Sequence, residues 1–193
     1  MLKLEIRILG FDDGPFTGRK GNVPVIGVIF RGGNFLDGIL RTNVKIDGLD
    51  STEKLVKLIN KSRHKQQLKI IMLDGLTFGG FNIVDVKKLN EETNLPVIVV
   101  NRKHPDLRKV RSAIKNNFKD FKERLEILKR AGKINEMQLR NGKKIFYQAI
   151  GIENEDAENA LAISCTHGEI PEALRVAHLI ATAVVKGESF GRA

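Results

Sequence analysis

Two apolar runs constrain this chain most strongly. Leu68 to Leu73 is interrupted only by Lys69, and Leu95 to Val100 has no polar residue at all. A strand that is apolar throughout has both faces buried, as strands do in parallel sheets covered by helices. Between the two runs, Phe81 to Thr93 carries a helical pattern with Ile83, Val84, Val86 and Leu89 facing inward. Strand, helix and strand at this spacing form a right-handed crossover unit. The first run stops at Asp74, and Gly75 follows. Ligands of open α/β sheets bind beyond such carboxyl ends. The same word ends the first strand-like segment, in Gly10-Phe11-Asp12-Asp13-Gly14. Asp12 and Asp74 therefore belong on one rim of one sheet, with Asp13 turned to the opposite face.

The segments before and after this unit complete the order. Leu4, Ile6, Ile8 and Gly10 alternate with Glu5, Arg7 and Leu9, which predicts a strand with one buried face. Val23 to Phe30 is a second strand. Gly32-Gly33 supplies a hairpin turn, and Phe35 to Ile46 a third strand with Gly38 as a bulge. A helix capped by Asp50 or Ser51 follows, with Leu55, Leu58 and Ile59 inward. Asp106 to Ala131 is helical and broken at Asn116-Asn117, and Gly132 ends it. Lys143 to Ile150 is a strand. Helices span Asn154 to Cys165 and Ile170 to Lys186, and the tail from Gly187 is loose. Three antiparallel strands, then parallel strands with flanking helices, match the mixed sheet of a ribonuclease H-like α/β fold. In that fold, carboxylates from four places meet at one metal site. Here those places offer Asp12 or Asp13; Asp47, Asp50 or Glu53; Asp74; and the segment Thr166 to Glu172.

The net charge of +10 is concentrated. Arg102 to Lys133 holds twelve Lys and Arg against four Asp and Glu, so one segment carries most of the excess. Such a segment attracts polyanions, and nucleic acid is the expected partner, against the plainer possibility of a solvated helix face. Lys103, Arg108, Lys109, Arg111 and Lys115 are the expected phosphate contacts. No apolar run approaches the roughly 20 residues of a membrane span. The first residues do not form a signal peptide, and the single Cys165 allows no intrachain disulfide. A cytoplasmic protein is expected.

With these residues in hand, the chain resembles an uncharacterised, mainly archaeal family, domain of unknown function family 99, which is distantly similar to endonuclease V. The resemblance runs through Gly10 to Phe16, Leu73-Asp74-Gly75, Gly79 to Asp85, Leu95 to Val100 and Glu169 to His178. It implies one endonuclease V-like domain over residues 1–193, carrying the basic helical segment 102–133. It also implies a metal-dependent nuclease that hydrolyses phosphodiester bonds in DNA or RNA with Mg²⁺ or Mn²⁺. Asp12 matches the nuclease's first-strand Gly-x-Asp, and Asp74 its second Asp-Gly. His167 falls near its late Gly-His pair, although the order here is His-Gly. Two features of the nuclease are missing: its middle glutamate in Phe-Arg-Glu, and its Pro-Tyr-Ile-Pro wedge. The first absence leaves open a non-catalytic nucleic-acid-binding protein on the same fold. The second removes any basis for carrying over inosine recognition. A small-molecule enzyme using the same acidic rim is a third possibility.

The expected chemistry follows from these residues. Mg²⁺ takes hard oxygen ligands and keeps several waters, so two or three carboxylates suffice. Asp12 and Asp74 supply two, Asp47 or Asp50 a third, and His167 a group to orient or protonate. Against this, Asp-Gly is also a common turn start. His178, in a helix beside Ala177 and Leu179, is expected to be structural, and His64 and His104 solvent-facing. Gly75 to Gly80 lacks the P-loop lysine and is expected to be a tight strand-to-helix turn that shapes the site. Phe16 and Phe78, in the two loops near the acids, are the candidates for touching a base; otherwise they belong to the core.

Overall fold

The computed structural model describes residues 5–140 and 142–189. In chain order its elements are β1 (Arg7–Asp13), β2 (Asn22–Arg31), β3 (Phe35–Lys45), α1 (Ser51–Lys61), β4 (Leu68–Asp74), β5 (Thr77–Phe78), β6 (Asn82–Ile83), α2 (Val86–Thr93), β7 (Val97–Asn101), α3 (Leu107–Asn117), α4 (Phe121–Arg130), β8 (Asn135–Gln138), β9 (Lys144–Ile150), α5 (Asn154–Ser164) and α6 (Glu172–Lys186). Seven strands form one sheet in the order β3-β2-β1-β4-β7-β9-β8. The β1–β2 and β2–β3 pairs are antiparallel, and β1–β4 and β4–β7 parallel. The returning strand β9 is antiparallel to β7. This is the mixed sheet of a ribonuclease H-like fold. Among the described residues no helix is long and apolar enough to cross a membrane.

Both faces of the sheet are covered. On one, Ile8, Val28, Met72 and Val100 pack against the alanine-rich sides of α5 and α6. On the other, Leu9, Phe11, Ile71 and Val99 meet Leu55 and Ile59 of α1 and Leu89 of α2. The expectation of one buried face for β1 is therefore corrected, because Ile8 and Leu9 are both fully buried. The strand also runs on to Asp13, since its pairing with β2 continues to Asp13 opposite Val25. Leu4, its expected start, lies outside the described residues, as do Phe190 to Ala193 of the expected tail.

Three further expectations change. The helix predicted from Phe81 begins only at Val86. Gly79 and Gly80 both take positive φ, at 54° and 86°, and close a small β5–β6 hairpin first. Asp85 caps the shortened helix by accepting from Lys88 N–H at 3.1 Å. The basic helical segment breaks after Asn117, at Phe118 to Asp120, rather than at Asn116-Asn117. The strand β8 was not foreseen, because Asn135 to Gln138 is mostly polar and lies at the edge of the sheet.

Helix α6 approaches β1 unusually closely. A Cβ built on Gly10 would stand 2.7 Å from both the carbonyl carbon and the Cβ of Ala173. The glycine, and the buried Ala173, Ala177 and Ala181, let α6 lie along β1 and deliver His178 beside Asp12.

Candidate active site

Register builds the site. Between β1 and β4, Gly10 stands beside Met72 and Phe11 beside Leu73. The next residue on each strand is an aspartate, Asp12 on one and Asp74 on the other. Side chains alternate along a strand, so the two carboxyls rise from the sheet face that α6 covers. They line one open cleft of about 540 Å³ with Asn101, Arg102, Lys103 and His178. Asp74 itself pairs with Val100 of β7, which brings the end of that strand, and Arg102 just beyond it, to the same rim.

Asp12 is 6 % exposed and fully engaged. Its Oδ1 accepts from Asp13 N–H at 2.8 Å, and its Oδ2 lies 2.8 Å from His178 Nδ1. The hydrogen bond to Asp12, reinforced by that carboxylate's charge, raises the His178 pKa although partial burial opposes it. Asp74 is pushed up to about 6, first by burial and then by the charge of Asp12, while Arg102 and His178 pull the other way. Asp13 turns to the opposite face, as alternation predicts, and its Oδ2 accepts from Gly79 N–H at 2.7 Å. Burial pushes Asp13 up to about 6 against that bond.

The donor set suits one divalent cation of the magnesium type. Two hard carboxylates stand side by side, and the charge of one already raises the pKa of the other. Mg²⁺ is commonly held by one or two carboxylates plus waters and substrate phosphates. Among the described residues no group of three or more His, Cys, Asp or Glu side chains is arranged to hold a metal ion.

The remaining expected residues lie elsewhere. The Asp47 carboxylate accepts from Phe81 N–H at 2.9 Å. Asp50 accepts from Asn82 Nδ2 at 2.7 Å and Lys45 N–H at 3.1 Å. Both pin the β3–α1 turn to the β5–β6 hairpin, and neither lines the Asp12–Asp74 cleft. His167 is exposed, with Nδ1 2.9 Å from Thr166 Oγ1, in a different cavity shared with Gly33 and Arg140. The histidine at the acids is His178, which was expected to be structural. Nothing local in the sequence marked it: its place comes from α6 lying along β1, where Gly10 admits Ala173. Cys165 is half-buried, and burial pushes its thiol up to about 12, which suits a packed residue.

Of the basic residues, Lys103 lines the acidic cleft, and Arg108, Lys109, Arg111 and Lys115 are exposed on α3. Lys109 pairs with Asp106, the residue that caps this helix. Arg124 is different: it is buried and uses all five of its N–H donors. They reach both carboxylate oxygens of Asp120 and the carbonyls of Asp47, Gly48 and Phe81, at 2.7–3.0 Å. Its guanidinium also lies 4.1 Å from the centre of the Phe118 ring. It fixes the α3–α4 hairpin to the loops around the rim.

Comparison with known proteins bears on all of this. The sequence profile of a family described as endonuclease dU matches residues 4–185. A "UPF0215 protein" of Methanothermobacter thermautotrophicus is 51 % identical over 193 residues, covering 100 % of this chain and 94 % of the relative. A crystal structure of a protein of unknown function from Archaeoglobus fulgidus superposes with a TM-score of 0.85 at 38 % identity, covering 94 % of this chain and 99 % of that one. Endonuclease V of Ciona intestinalis, solved with a 24mer DNA containing an inosine, superposes with a TM-score of 0.61 at 17 % identity, covering 94 % of this chain and 87 % of that one. At that identity the likeness establishes the fold.

Proposed function

The chain belongs to the endonuclease dU family, and from that premise we propose that it is a metal-dependent endonuclease hydrolysing phosphodiester bonds in nucleic acid. The dU of the family's description makes deoxyuridine-containing DNA the first substrate to test. One observation supports this above the others: Asp12 and Asp74 end adjacent parallel strands in register, with His178 bonded to the first.

Asp12 and Asp74 would hold Mg²⁺ or Mn²⁺, which when bound activates water and stabilises charge on the departing oxygen. The chain's own groups do the rest. In hydrolysis water attacks phosphorus and gives up a proton to solvent, the bond to the leaving oxygen breaks, and that oxygen takes a proton. His178 uses Nδ1 on Asp12, which leaves Nε2 for the substrate. Held by Asp12 through Nδ1, the ring can hand a proton from Nε2 to the leaving oxygen. Lys103 and Arg102 stand beside the acids, where they balance phosphate charge. The exposed cations of α3, which follows them in the chain, would form a track for the backbone.

A second reading, a nucleic-acid binder without turnover, draws on the lack of a third acidic ligand among the described residues. One assay separates the two. Single- and double-stranded DNA and RNA, with and without deoxyuridine or inosine, are incubated with Mg²⁺ or Mn²⁺ beside Asp74→Asn. Metal-dependent cuts absent from the variant support the nuclease. Binding without cuts moves the chain to the second reading, and neither binding nor cuts sinks both.

A further inference from the structure

Across Asp12 and His178 from the Asp74 cleft lies a second cleft of about 450 Å³, which the reaction above leaves unused. Asp13 and Phe16, at the start of the β1–β2 loop, form one wall. Thr182 and Lys186, from the last turns of α6, form the other. Asp12 and His178 line both clefts, so the two adjoin along one ridge.

Phe16 is the unusual member. It is 40 % exposed, whereas Phe78, the other aromatic residue near the acids, is fully buried. Its ring is backed by glycine: a Cβ built on Gly80 would come within 3.6 Å of the ring tip. That same Cβ would stand 2.5 Å from Asp47 Oδ1, and φ at Gly80 is +86°, so both crowding and backbone geometry keep the position a glycine. The ring tip therefore faces a glycine, and the part-exposed Phe16 lines the cleft. An aromatic ring held in this way beside a phosphate-handling site is a platform on which an unpaired base can stack.

We propose that this cleft is a nucleoside subsite, in which the unpaired base next to the scissile phosphate stacks on Phe16. The proposal rests on the nuclease reading, because that reading places the strand's phosphate at Asp12 and Asp74. It makes Phe16 the residue that selects for an unstacked nucleotide, while the basic track on α3 grips the backbone regardless of sequence.

The chain contains no tryptophan, which gives a direct test. Phe16→Trp places a single indole in the cleft, and Phe35→Trp places one at a 59 % exposed position on β3, an edge strand of the sheet, as control. Both are made in the Asp74→Asn background to prevent cutting. Indole emission and the anisotropy of end-labelled single-stranded DNA are read together. Bound DNA should quench the Phe16→Trp emission about 2-fold or more and leave the Phe35→Trp control bright. An equally long strand lacking bases should bind without quenching. Phe16→Leu should weaken binding of the normal strand about 10-fold, and Phe16→Tyr should restore it. Binding by anisotropy without quenching, or equal quenching by the baseless strand, overturns the subsite and leaves the nuclease reading standing. Absence of binding in both variants overturns the two together.

Discussion

At the scale of single residues, the proposed function rests on two carboxyls placed by register and one histidine placed by a helix. Asp12 and Asp74 were legible because each stands at the end of an apolar strand with a glycine within two residues after it. His178 was not, because nothing local separates a histidine on a helix's buried flank from one that packs; its role comes from a contact 166 positions away in sequence. His178→Ala should lower the cleavage rate by about 100-fold or more while changing binding little, the signature of a lost proton donor. Single-turnover rates and anisotropy measured side by side test this, and equal loss in both would make the residue structural after all. Asp74 also carries a pH signature. Its folded pKa of about 6 lies above the ordinary 3.8, so between those values the native state holds a proton that the unfolded state has released. Stability from this group therefore falls as pH rises from about 4 to about 6, and it is lowest at neutral pH. In EDTA at pH 7, Asp74→Asn should be more stable than the parent by up to about 3 kcal/mol, less whatever solvent screens. The gap should close near pH 4. Urea unfolding at the two pH values measures it, and a gap of the same size at both would contradict the burial argument.

At the scale of elements, the site depends on how two helical units are held against the sheet. The β1–α6 contact tolerates nothing larger than glycine at position 10, because both the backbone and the Cβ of Ala173 stand in the way. Gly10→Ala should push α6 outward, destabilise the fold by roughly 1–3 kcal/mol, and separate His178 from Asp12. Thermal unfolding together with cleavage rates reads both effects. The α3–α4 hairpin is held differently, by the small Ile83–Ile114–Leu128 cluster and by Arg124. Arg124→Met keeps the volume but leaves three loop carbonyls without their donor, at roughly 1–3 kcal/mol for each that stays buried. Arg124→Lys should not rescue it, since one ammonium cannot span three carbonyls and a carboxylate. Hydrogen exchange should show α3 and α4 losing protection in both variants before the central strands do. The sequence showed that this segment is helical and basic, but its attachment was hidden. The charge pattern alone does not distinguish a cation facing phosphate from one buried among carbonyls. The same limit applies to the predicted helix from Phe81: its apolar residues fit a helical period, and only the paired positive φ angles of Gly79 and Gly80 make a hairpin of its first residues.

At the scale of the whole molecule, strand order was legible because three signals agreed: an antiparallel opening, two apolar parallel strands, and carboxylates at the ends of β1 and β4. The charge is what makes that order a candidate nucleic-acid surface. Arg130 pairs with Asp85 outside residues 102–133, and Lys109, Arg124 and Lys129 pair with acids of that segment itself, so these four cations are engaged within the protein. Arg108, Arg111 and Lys115 are exposed on α3, beyond Lys103 at the mouth of the acidic cleft. If these side chains meet backbone phosphates, each releases a counterion and contributes to the salt dependence of binding. Replacing Arg108, Arg111 and Lys115 together by Gln should then reduce the slope of log K against log salt by roughly 2 to 3 on duplex DNA, at about 0.9 per phosphate contact. Asp74→Asn should leave that slope unchanged, because its effect is confined to the metal and the reacting phosphate. Titrations at four or five salt concentrations distinguish the two. A slope that stays steep in the triple variant would move the phosphate track off α3, and a flat slope in the parent would remove nucleic acid as the ligand of this surface.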